Sequence, residues 1–493
     1  MAQPLAWLQF KLAGRLIQVS QRKYSDAKSR KTGNRVKVLF APYPYPPTKV
    51  LHSILAAGVL HSGHQAELSS TRKLIVLAEV SYRNLEKVGD RKFQSFAEII
   101  VFLHSLGSGD EILSTAIIDE FVRYCPVSVF TGDYIVSRQF QLSVLKAQQE
   151  ASAWAGAHDV VVLGDSSYLA NGAIISGFLK KGRKVFIADF PGTFREVTKT
   201  KSERRNRDSF YSELEKLRCG ETSAVGPDPG LEKFFAQRYS GRSADHEIAK
   251  AFGLRNHSSF SPSAMKKVLF LHSFRDANGQ VSSPELGSSL FRTYFEWADA
   301  ALAIVAEQPE DWIVKPHPGM GRLIGDSEIL SFLLEKHSIP RQIVADDMSA
   351  AFVLEHRWPI FTHDGSVARE APTFGYRAVS ISVHLPEEIT LRLKTMAEFR
   401  SCYRLPPIDV NSEVLDPLIV RAAKKMFFEY ASPRFKVVLR KPRQRTGRSH
   451  FSNQLLPARI SFTLARKSTT RAGSEEIRGA VRDLIQPVSS PKS

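Results

Sequence analysis

The stretches WIVKPHPG, residues 312–319, and PIFTHDGSVAREAP, residues 359–372, are the parts of the sequence that indicate the fold most clearly. In each, a short apolar run ends in a loop that carries polar side chains and glycine. Short apolar runs bounded by turn residues are typical of buried strands in a parallel sheet. Open α/β sheets bind phosphorylated ligands at the carboxyl ends of such strands. We therefore expect the two loops to lie at one edge of one sheet.

Strand-like runs alternate with amphipathic helical patterns on both sides of these stretches. The predicted strands of the second half are 267–271, 312–314, 342–345, 359–362 and 378–381. Those of the first half are 36–40, 73–78, 99–103, 127–131, 160–163 and 185–188. This alternation argues for parallel, doubly wound sheets. We predict an α/β fold in which two Rossmann-like domains face a cleft.

The length and the composition shifts predict the domain boundaries. The chain has 493 residues, whereas a single hydrophobic core rarely grows beyond about 250–300 residues. We predict two domains and two terminal extensions. They are a basic N-terminal extension at 1–34, a Rossmann-like domain at 35–260, a second at 265–431 and a basic, disordered tail at 437–493.

The positive charge is concentrated in the tail. The formal net charge is +18, and from residue 436 onward about 13 Lys and Arg face about 3 acidic residues. Such an excess suits nucleic acid, an anionic membrane surface or anionic substrates. Because only two aromatic residues, Phe451 and Phe462, are interleaved with the basic ones, a nucleic-acid partner is disfavoured. Docking on anionic lipid is the favoured use of the tail.

The cysteines and the apolar runs indicate the compartment. The 3 cysteines form no CxxC or metal-binding spacing, which favours a reducing environment. No apolar run approaches the roughly 18 residues that a bilayer requires. Lys11 and Arg15 interrupt the apolar N-terminus, so no secretory signal is predicted. We expect a cytoplasmic protein.

Lys315 and His317 are candidate ligands for phosphate. They follow the predicted strand 312–314, and Pro316 and Pro318 stiffen the loop that carries them. Because the loop is stiff, the two side chains lose little entropy when they bind. Cationic and hydrogen-bonding groups in a fixed relation suit a monophosphate or diphosphate. The alternative is a rigid turn with a solvated lysine.

Gly365, Ser366 and Glu370 form the second candidate group. Glycine permits close backbone approach, and Ser366 can hydrogen-bond a phosphate where the predicted helix 367–375 begins. Glu370 is four residues further on and so on the same helix face. A carboxylate there can accept hydrogen bonds from ribose hydroxyls. The alternative is a helix start capped by Asp364, with Glu370 complementing the dipole.

Asp165 and His272 are the candidate catalytic residues. Each follows a predicted strand, 160–163 or 267–271, and either could serve as general base on an acceptor hydroxyl. The alternatives are a capping role for Asp165 and a structural role for His272. Asp346 and Asp347 precede a helix and are expected to cap it. Since Lys315 and His317 can neutralise a leaving group, neither a metal nor a cofactor is predicted.

Residues 266–385 resemble the GT-B glycosyltransferase superfamily, in particular the bacterial capsule and surface polysaccharide biosynthesis proteins. The segments that carry the resemblance are FLHSFRDA at 270–277, FRTYFEW at 291–297, WIVKPHP at 312–318 and DGSVAREAP at 364–372. For residues 36–260 it rests only on the order of elements. It implies that the second domain holds a nucleotide-sugar donor, with His317 and Ser366 at the phosphates and Glu370 at the ribose. The first domain would then present the acceptor.

The resemblance implies a glycosyltransferase that extends a capsular or other surface polysaccharide. Its partners would be a nucleotide-sugar donor and a glycan or lipid-linked glycan acceptor, at the cytoplasmic face of the inner membrane. Two enzyme alternatives share the same phosphate chemistry, a nucleotide-sugar epimerase and a glycerol- or alditol-phosphate transferase. The alternative from another class is a basic nucleic-acid-binding protein.

Overall fold

The architecture is taken from a computed structural model. It describes residues 36–41, 51–52, 55–56, 59–60, 62, 64–68, 90–164, 168–189, 193–197, 205–220, 229–239, 265–275, 290–291, 293–320, 323–345, 348–382, 385–410, 413–431 and 479–486. Several predictions fall outside these ranges. They are the N-terminal extension, the strand at 73–78, Asp165, Asp346, Asp347 and most of the basic tail.

The protein is an α/β protein with two five-stranded sheets, and this part of the predicted fold class is confirmed. The strands are β1 Lys37–Ala41, β2 Gln65–Leu68, β3 Arg91–Lys92, β4 Ile135–Val136, β5 Val160–Leu163, β6 Lys184–Asp189, β7 Thr193–Val197, β8 Lys267–Phe270, β9 Trp312–Lys315, β10 Ile360–Thr362, β11 Ala378–Ser380 and β12 Thr390–Arg392. The helices are α1 Phe96–Leu106, α2 Glu111–Tyr124, α3 Ser128–Thr131, α4 Arg138–Ala157, α5 Tyr168–Lys180, α6 Arg205–Arg218, α7 Pro229–Tyr239, α8 Tyr294–Val305, α9 Asp326–Lys336, α10 Ala350–Glu355, α11 Ser366–Glu370, α12 Met396–Arg404, α13 Pro407–Val410 and α14 Pro417–Ala431.

The chain forms two compact units whose boundaries differ from the predicted domains. Unit 1 comprises Met1–Val88, Gln139–Lys199 and Pro433–Ser493, and unit 2 comprises Gly89–Arg138 and Thr200–Ser432. Two segments that we assigned to the first domain, residues 89–138 and 200–260, therefore belong to unit 2. The described residues of both segments contribute no strand to either five-stranded sheet, and they pack instead on the elements of unit 2.

Unit 1 is built on a sheet of order β2-β1-β5-β6-β7. β2, β1, β5 and β6 are mutually parallel, and β7 pairs antiparallel with β6. All four residues of β5, VVVL, are buried, as expected for a parallel strand covered on both faces. The core beside this sheet also contains Ala480, Val481 and Leu484. The tail was predicted to be disordered, but residues 479–485 are helical and pack on unit 1.

His52 is buried in unit 1 and is expected to make its stability depend on pH. Its Nε2 lies 2.8 Å from the carbonyl oxygen of Ala188, and burial lowers the pKa of the imidazole from 6.5 to about 4. His52 therefore becomes protonated near pH 6.5 in the unfolded chain, whereas in the folded unit it stays neutral until about pH 4. Stability is complete above pH 6.5 and falls by roughly 3 kcal/mol as the pH drops toward 4.

The check is urea unfolding of unit 1 between pH 7 and pH 4.5, in the wild type and in His52→Gln. Glutamine keeps a side-chain donor but has no proton to gain in this range. We expect the variant to lose less stability on acidification than the wild type does. Identical pH dependence of the two proteins would exclude His52 as the responsible group.

Unit 2 is built on an all-parallel sheet of order β12-β11-β10-β8-β9. A single parallel bridge joins Val344 to Val314 in β9, next to the 3₁₀ turn Arg341–Ile343. We predicted a full strand at 342–345, and only this bridge forms. With Val344 included, the order follows the Rossmann pattern, whose direction of winding reverses between β8 and β10. Ligands in such sheets bind outside the strand ends at this point of reversal.

Residues 90–138 form a largely helical segment of unit 2. We predicted strands at 99–103 and 127–131, and both predictions are wrong because residues 99–103 lie in α1 and residues 128–131 form α3. Ser95 caps α1 by accepting a hydrogen bond from the Glu98 backbone N–H. A short apolar run fits a buried strand or one face of a helix equally well. The cap decides in favour of the helix.

Within the described ranges, every helix is too short or too polar to cross a bilayer.

Candidate functional site

A cavity of about 150 Å³ lies in unit 2 where β8, β9 and β10 end. Its walls include six of the seven residues that the sequence singled out, namely His272, Lys315, His317, Gly365, Ser366 and Glu370. The seventh, Asp165, is outside the described residues. The other lining residues are Arg238, Phe270, Leu271, Pro316, Pro318, Ala350, Thr362 and Val367. Loops more than forty residues apart in sequence thus meet at the point where the sheet reverses its winding.

The loop after β9 fixes the tautomer of the His317 imidazole. The backbone N–H of Gly319 donates to His317 Nδ1 at 3.0 Å, and the N–H of Met320 donates to the His317 carbonyl oxygen at 2.9 Å. Because Nδ1 accepts a hydrogen bond, a neutral imidazole carries its proton on Nε2. His317 can therefore donate a hydrogen bond through Nε2. Lys315, at the end of the same strand, is buried.

Tyr294 fixes the position of His272. The backbone N–H of His272 donates to the Tyr294 hydroxyl at 2.6 Å, and that hydroxyl donates to the His272 carbonyl oxygen at 3.2 Å. Burial raises the pKa of Tyr294 well above its usual value, so the hydroxyl keeps its proton. The imidazole of His272 stacks on that of His317, with ring centroids 5.6 Å apart and planes inclined by 24°.

Gly365 is required by close packing. A Cβ atom at this position would lie 2.9 Å from His272 Nε2 and 3.0 Å from Thr362 Oγ1. Its φ is −82°, which any residue can adopt. We expected the glycine to let a phosphate approach the backbone. In the structure it is the imidazole of His272 that takes up the space a side chain would need.

Glu370 is fully buried and pairs with an arginine that the sequence did not single out. Arg238 Nη2, in α7, donates to Glu370 Oε1 at 2.6 Å. Burial raises the pKa of Glu370 above its ordinary value, and the Arg238 guanidinium opposes that rise. The second carboxylate oxygen, Oε2, makes no hydrogen bond of normal geometry with the described residues, although the nearby Ser366 hydroxyl helps to lower the pKa of Glu370. The buried Thr362 hydroxyl likewise has no partner among the described residues.

The helix that carries Glu370 is shorter than predicted. α11 ends at Glu370 and continues as the 3₁₀ turn Ala371–Phe374. The alternative in which Asp364 caps this helix is wrong, since Gly365 is the N-cap residue and no side chain caps the helix. Asp364 instead forms an ion pair with Arg369, with 3.1 Å between Oδ1 and Nη2.

The charges around the cavity favour an anionic ligand. Arg238 and Lys315 are basic side chains, Glu370 is the one carboxylate among the lining residues, and two imidazoles offer further hydrogen-bonding nitrogens. Buried polar atoms normally have hydrogen-bond partners. The two unpartnered oxygens, Glu370 Oε2 and Thr362 Oγ1, therefore suit a ligand that also carries hydroxyl groups.

A larger groove of about 730 Å³ adjoins the cavity. It shares Pro316, His317 and Pro318 with the cavity and runs along α9, where Leu330 and Leu334 line it, to Arg341 in the following 3₁₀ turn. Sites for ligands of nucleotide size measure about 300–1,000 Å³. The small cavity alone is below that range, and the groove supplies the remaining space.

The site thus defines an α/β protein with a cavity, lined by several basic side chains, at the carboxyl edge of its second sheet. Neither a protein-family model nor a curated protein sequence matches this chain. Among the residues that the structure describes, no three His, Cys, Asp or Glu side chains are grouped so as to hold a metal ion. The functional assignment therefore depends on the chemistry of the cavity.

Proposed function

We propose that unit 2 binds a nucleotide-sugar donor and that the protein is a glycosyltransferase of GT-B type that extends a capsular or other surface polysaccharide. One observation carries the proposal. His272, Lys315, His317, Gly365, Ser366 and Glu370, chosen for their chemistry and their resemblance, line a single cavity at the point where the sheet reverses. A nucleotide sugar presents both phosphate anions and ribose hydroxyls, which these side chains can bind.

Each lining group has a role in this proposal. Lys315, His317 and Ser366 bind the phosphates, and Glu370 Oε2 accepts a hydrogen bond from a ribose hydroxyl. The donor then extends past His317 into the larger groove. Cations and imidazole N–H groups in a buried site stabilise the charge that develops on a departing phosphate.

The reaction is a displacement at the anomeric carbon. The oxygen of an acceptor hydroxyl bonds to that carbon while its bond to the donor phosphate oxygen breaks. The leaving nucleotide takes the bonding electron pair, and the acceptor proton passes to a base. His272 is the candidate base that lines the cavity, and Tyr294 holds its backbone in place. We propose that the acceptor is a glycan or lipid-linked glycan at a membrane surface.

Calorimetric titration of the protein with CMP, CDP, GDP and UDP tests the binding step. We expect one nucleotide to bind, and Lys315→Met and His317→Ala each to weaken it by about 10- to 100-fold, the range for a charge-assisted hydrogen bond. Lys336→Met and His356→Ala are matched controls, because these residues lie in unit 2 outside the cavity. If no nucleotide binds the wild type, the proposal is wrong.

Product analysis separates the glycosyltransferase from the two related enzymes. A glycosyltransferase releases the nucleotide and leaves no phosphate in the new bond. An alditol-phosphate transferase leaves a phosphodiester in its product, and an epimerase returns an altered sugar still attached to the nucleotide. We expect the first outcome, and we expect it to persist in EDTA because protein cations neutralise the leaving group.

A further inference from the structure

Arg238 is placed at the cavity by two independent contacts within unit 2. Its Nη2 donates to Glu370 Oε1 at 2.6 Å. Its guanidinium carbon lies 4.8 Å from the centre of the Phe427 ring. The residue is 8% exposed and lines the cavity together with Lys315 and His317. The plane of the guanidinium is thus set by a carboxylate and by an aromatic ring.

A purely structural role accounts poorly for this pair. Burying two charges costs solvation energy that their attraction often fails to recover, and an apolar pair of similar volume is commonly as stable. In this cavity the pair does something an apolar pair cannot. Glu370 balances the charge of Arg238 while the cavity is empty, which allows an arginine to be kept buried beside the binding space.

We propose that Arg238 binds a phosphate of the nucleotide donor, and that Glu370 and Phe427 position its guanidinium for that contact. Arginine carries five N–H donors in a planar fork that matches the oxygens of a phosphate. It can bond a carboxylate and a phosphate at the same time. This inference rests on the proposed function, since it assumes that the anion in the cavity is a nucleotide phosphate.

The role given to Glu370 follows from the same geometry. Oε1 holds Arg238, and Oε2 makes no hydrogen bond of normal geometry with the described residues. One carboxylate can therefore orient the phosphate-binding arginine and accept a bond from the adjoining ribose. The ribose and the phosphate attached to it would be held by one linked pair of side chains.

The test compares phosphate-bearing and phosphate-free probes by calorimetry. The probes are the nucleoside diphosphate that binds the wild type most tightly and the matching nucleoside. In Arg238→Met, which keeps an apolar stem against Phe427, we expect the diphosphate to bind about 10- to 100-fold more weakly. The affinity for the nucleoside should fall much less, because the nucleoside has no phosphate for Arg238 to bind. Arg377→Met is the control, because Arg377 pairs with Glu413 outside the cavity.

Arg238→Lys guards against a folding defect. It keeps the positive charge but loses the planar fork, so we expect a weaker but measurable loss of diphosphate affinity. The inference fails if either folded variant binds the diphosphate as tightly as the wild type does, or if nucleoside and diphosphate weaken equally. If the wild type binds no nucleotide, the proposed function fails as well. Suppose instead that the wild type binds a nucleotide, that Lys315→Met and His317→Ala weaken this binding, and that the Arg238 variants bind as the wild type does. In that case the proposed function stands and the role of Arg238 does not.

Discussion

Arg275→Met is expected to detach the helical segment 90–138 from the rest of unit 2. The Arg275 guanidinium is 5% exposed. Its Nη1 donates to the carbonyl oxygens of Val122, Arg123 and Cys125, at 3.1, 3.1 and 2.8 Å. These carbonyls end α2, where a helix has no internal donors left for them. Methionine fills part of the space but donates no hydrogen bond, so we expect a loss of about 3–5 kcal/mol.

Hydrogen exchange of backbone amides, followed by peptide, measures this effect locally. We expect exchange to accelerate in α1, α2 and α3 of the variant, and unit 1 to be unaffected. Arg404→Met is the control, since the ion pair of Arg404 with Glu307 has both side chains exposed and should add little to stability. Unchanged exchange in α2 of Arg275→Met would mean that other contacts anchor the segment.

The same arginine shows why the unit boundaries could not be read from the sequence. Arg275 reaches carbonyls about 150 residues earlier in the chain. The aromatic rings of Phe96, Phe130 and Phe295 add to this link, with centroids 5.1 to 5.5 Å apart. Local patterns predict local elements, whereas these contacts depend on the folded arrangement. The prediction therefore placed 90–138 in the first domain, whereas in the structure this segment belongs to unit 2.

Four strands of the second sheet, β8 to β11, were predictable because they are continuous apolar runs with polar ends. β8, β9 and β10 were each predicted within one or two residues, since buried parallel strands combine an apolar run with a sharp boundary. β12, TLR, has no such pattern and was missed. The short strands β3 and β4, of two residues each, carry too few positions for any periodicity.

The candidate site was predictable to the extent that it follows strand ends. His272, Lys315, His317 and Gly365 come directly after or at the end of β8, β9 and β10, and parallel strands bring such positions to one edge. Arg238 comes from α7, which precedes the sheet in the chain, and no local feature marks it. Its relation to Glu370, 132 residues later, is visible only in the folded structure.

The helix at residues 479–485, here called the C-terminal helix, affects how the role of the basic tail can be tested. Removing residues 437–493 would remove Ala480, Val481 and Leu484 from the core of unit 1. A truncated protein that lost binding to anionic vesicles or to RNA could then be partly unfolded. Replacing the lysines and arginines of the tail with glutamine, outside residues 479–486, tests the charge while it keeps this helix.

Leu484→Ala is expected to destabilise unit 1 even though the residue lies in the basic tail. Leu484 is 0% exposed and packs in the same core as Val38, Phe40 and Phe186. Truncating a fully buried leucine costs about 2–5 kcal/mol, because apolar contacts are lost and a cavity remains.

Leu142→Ala in α4 is the control, since Leu142 belongs to unit 1 and is 53% exposed. Urea unfolding, followed by amide exchange in β1 and β5, should show a large shift for Leu484→Ala and less than about 0.5 kcal/mol for the control. Equal stability of the two variants would show that the C-terminal helix adds nothing to the fold of unit 1.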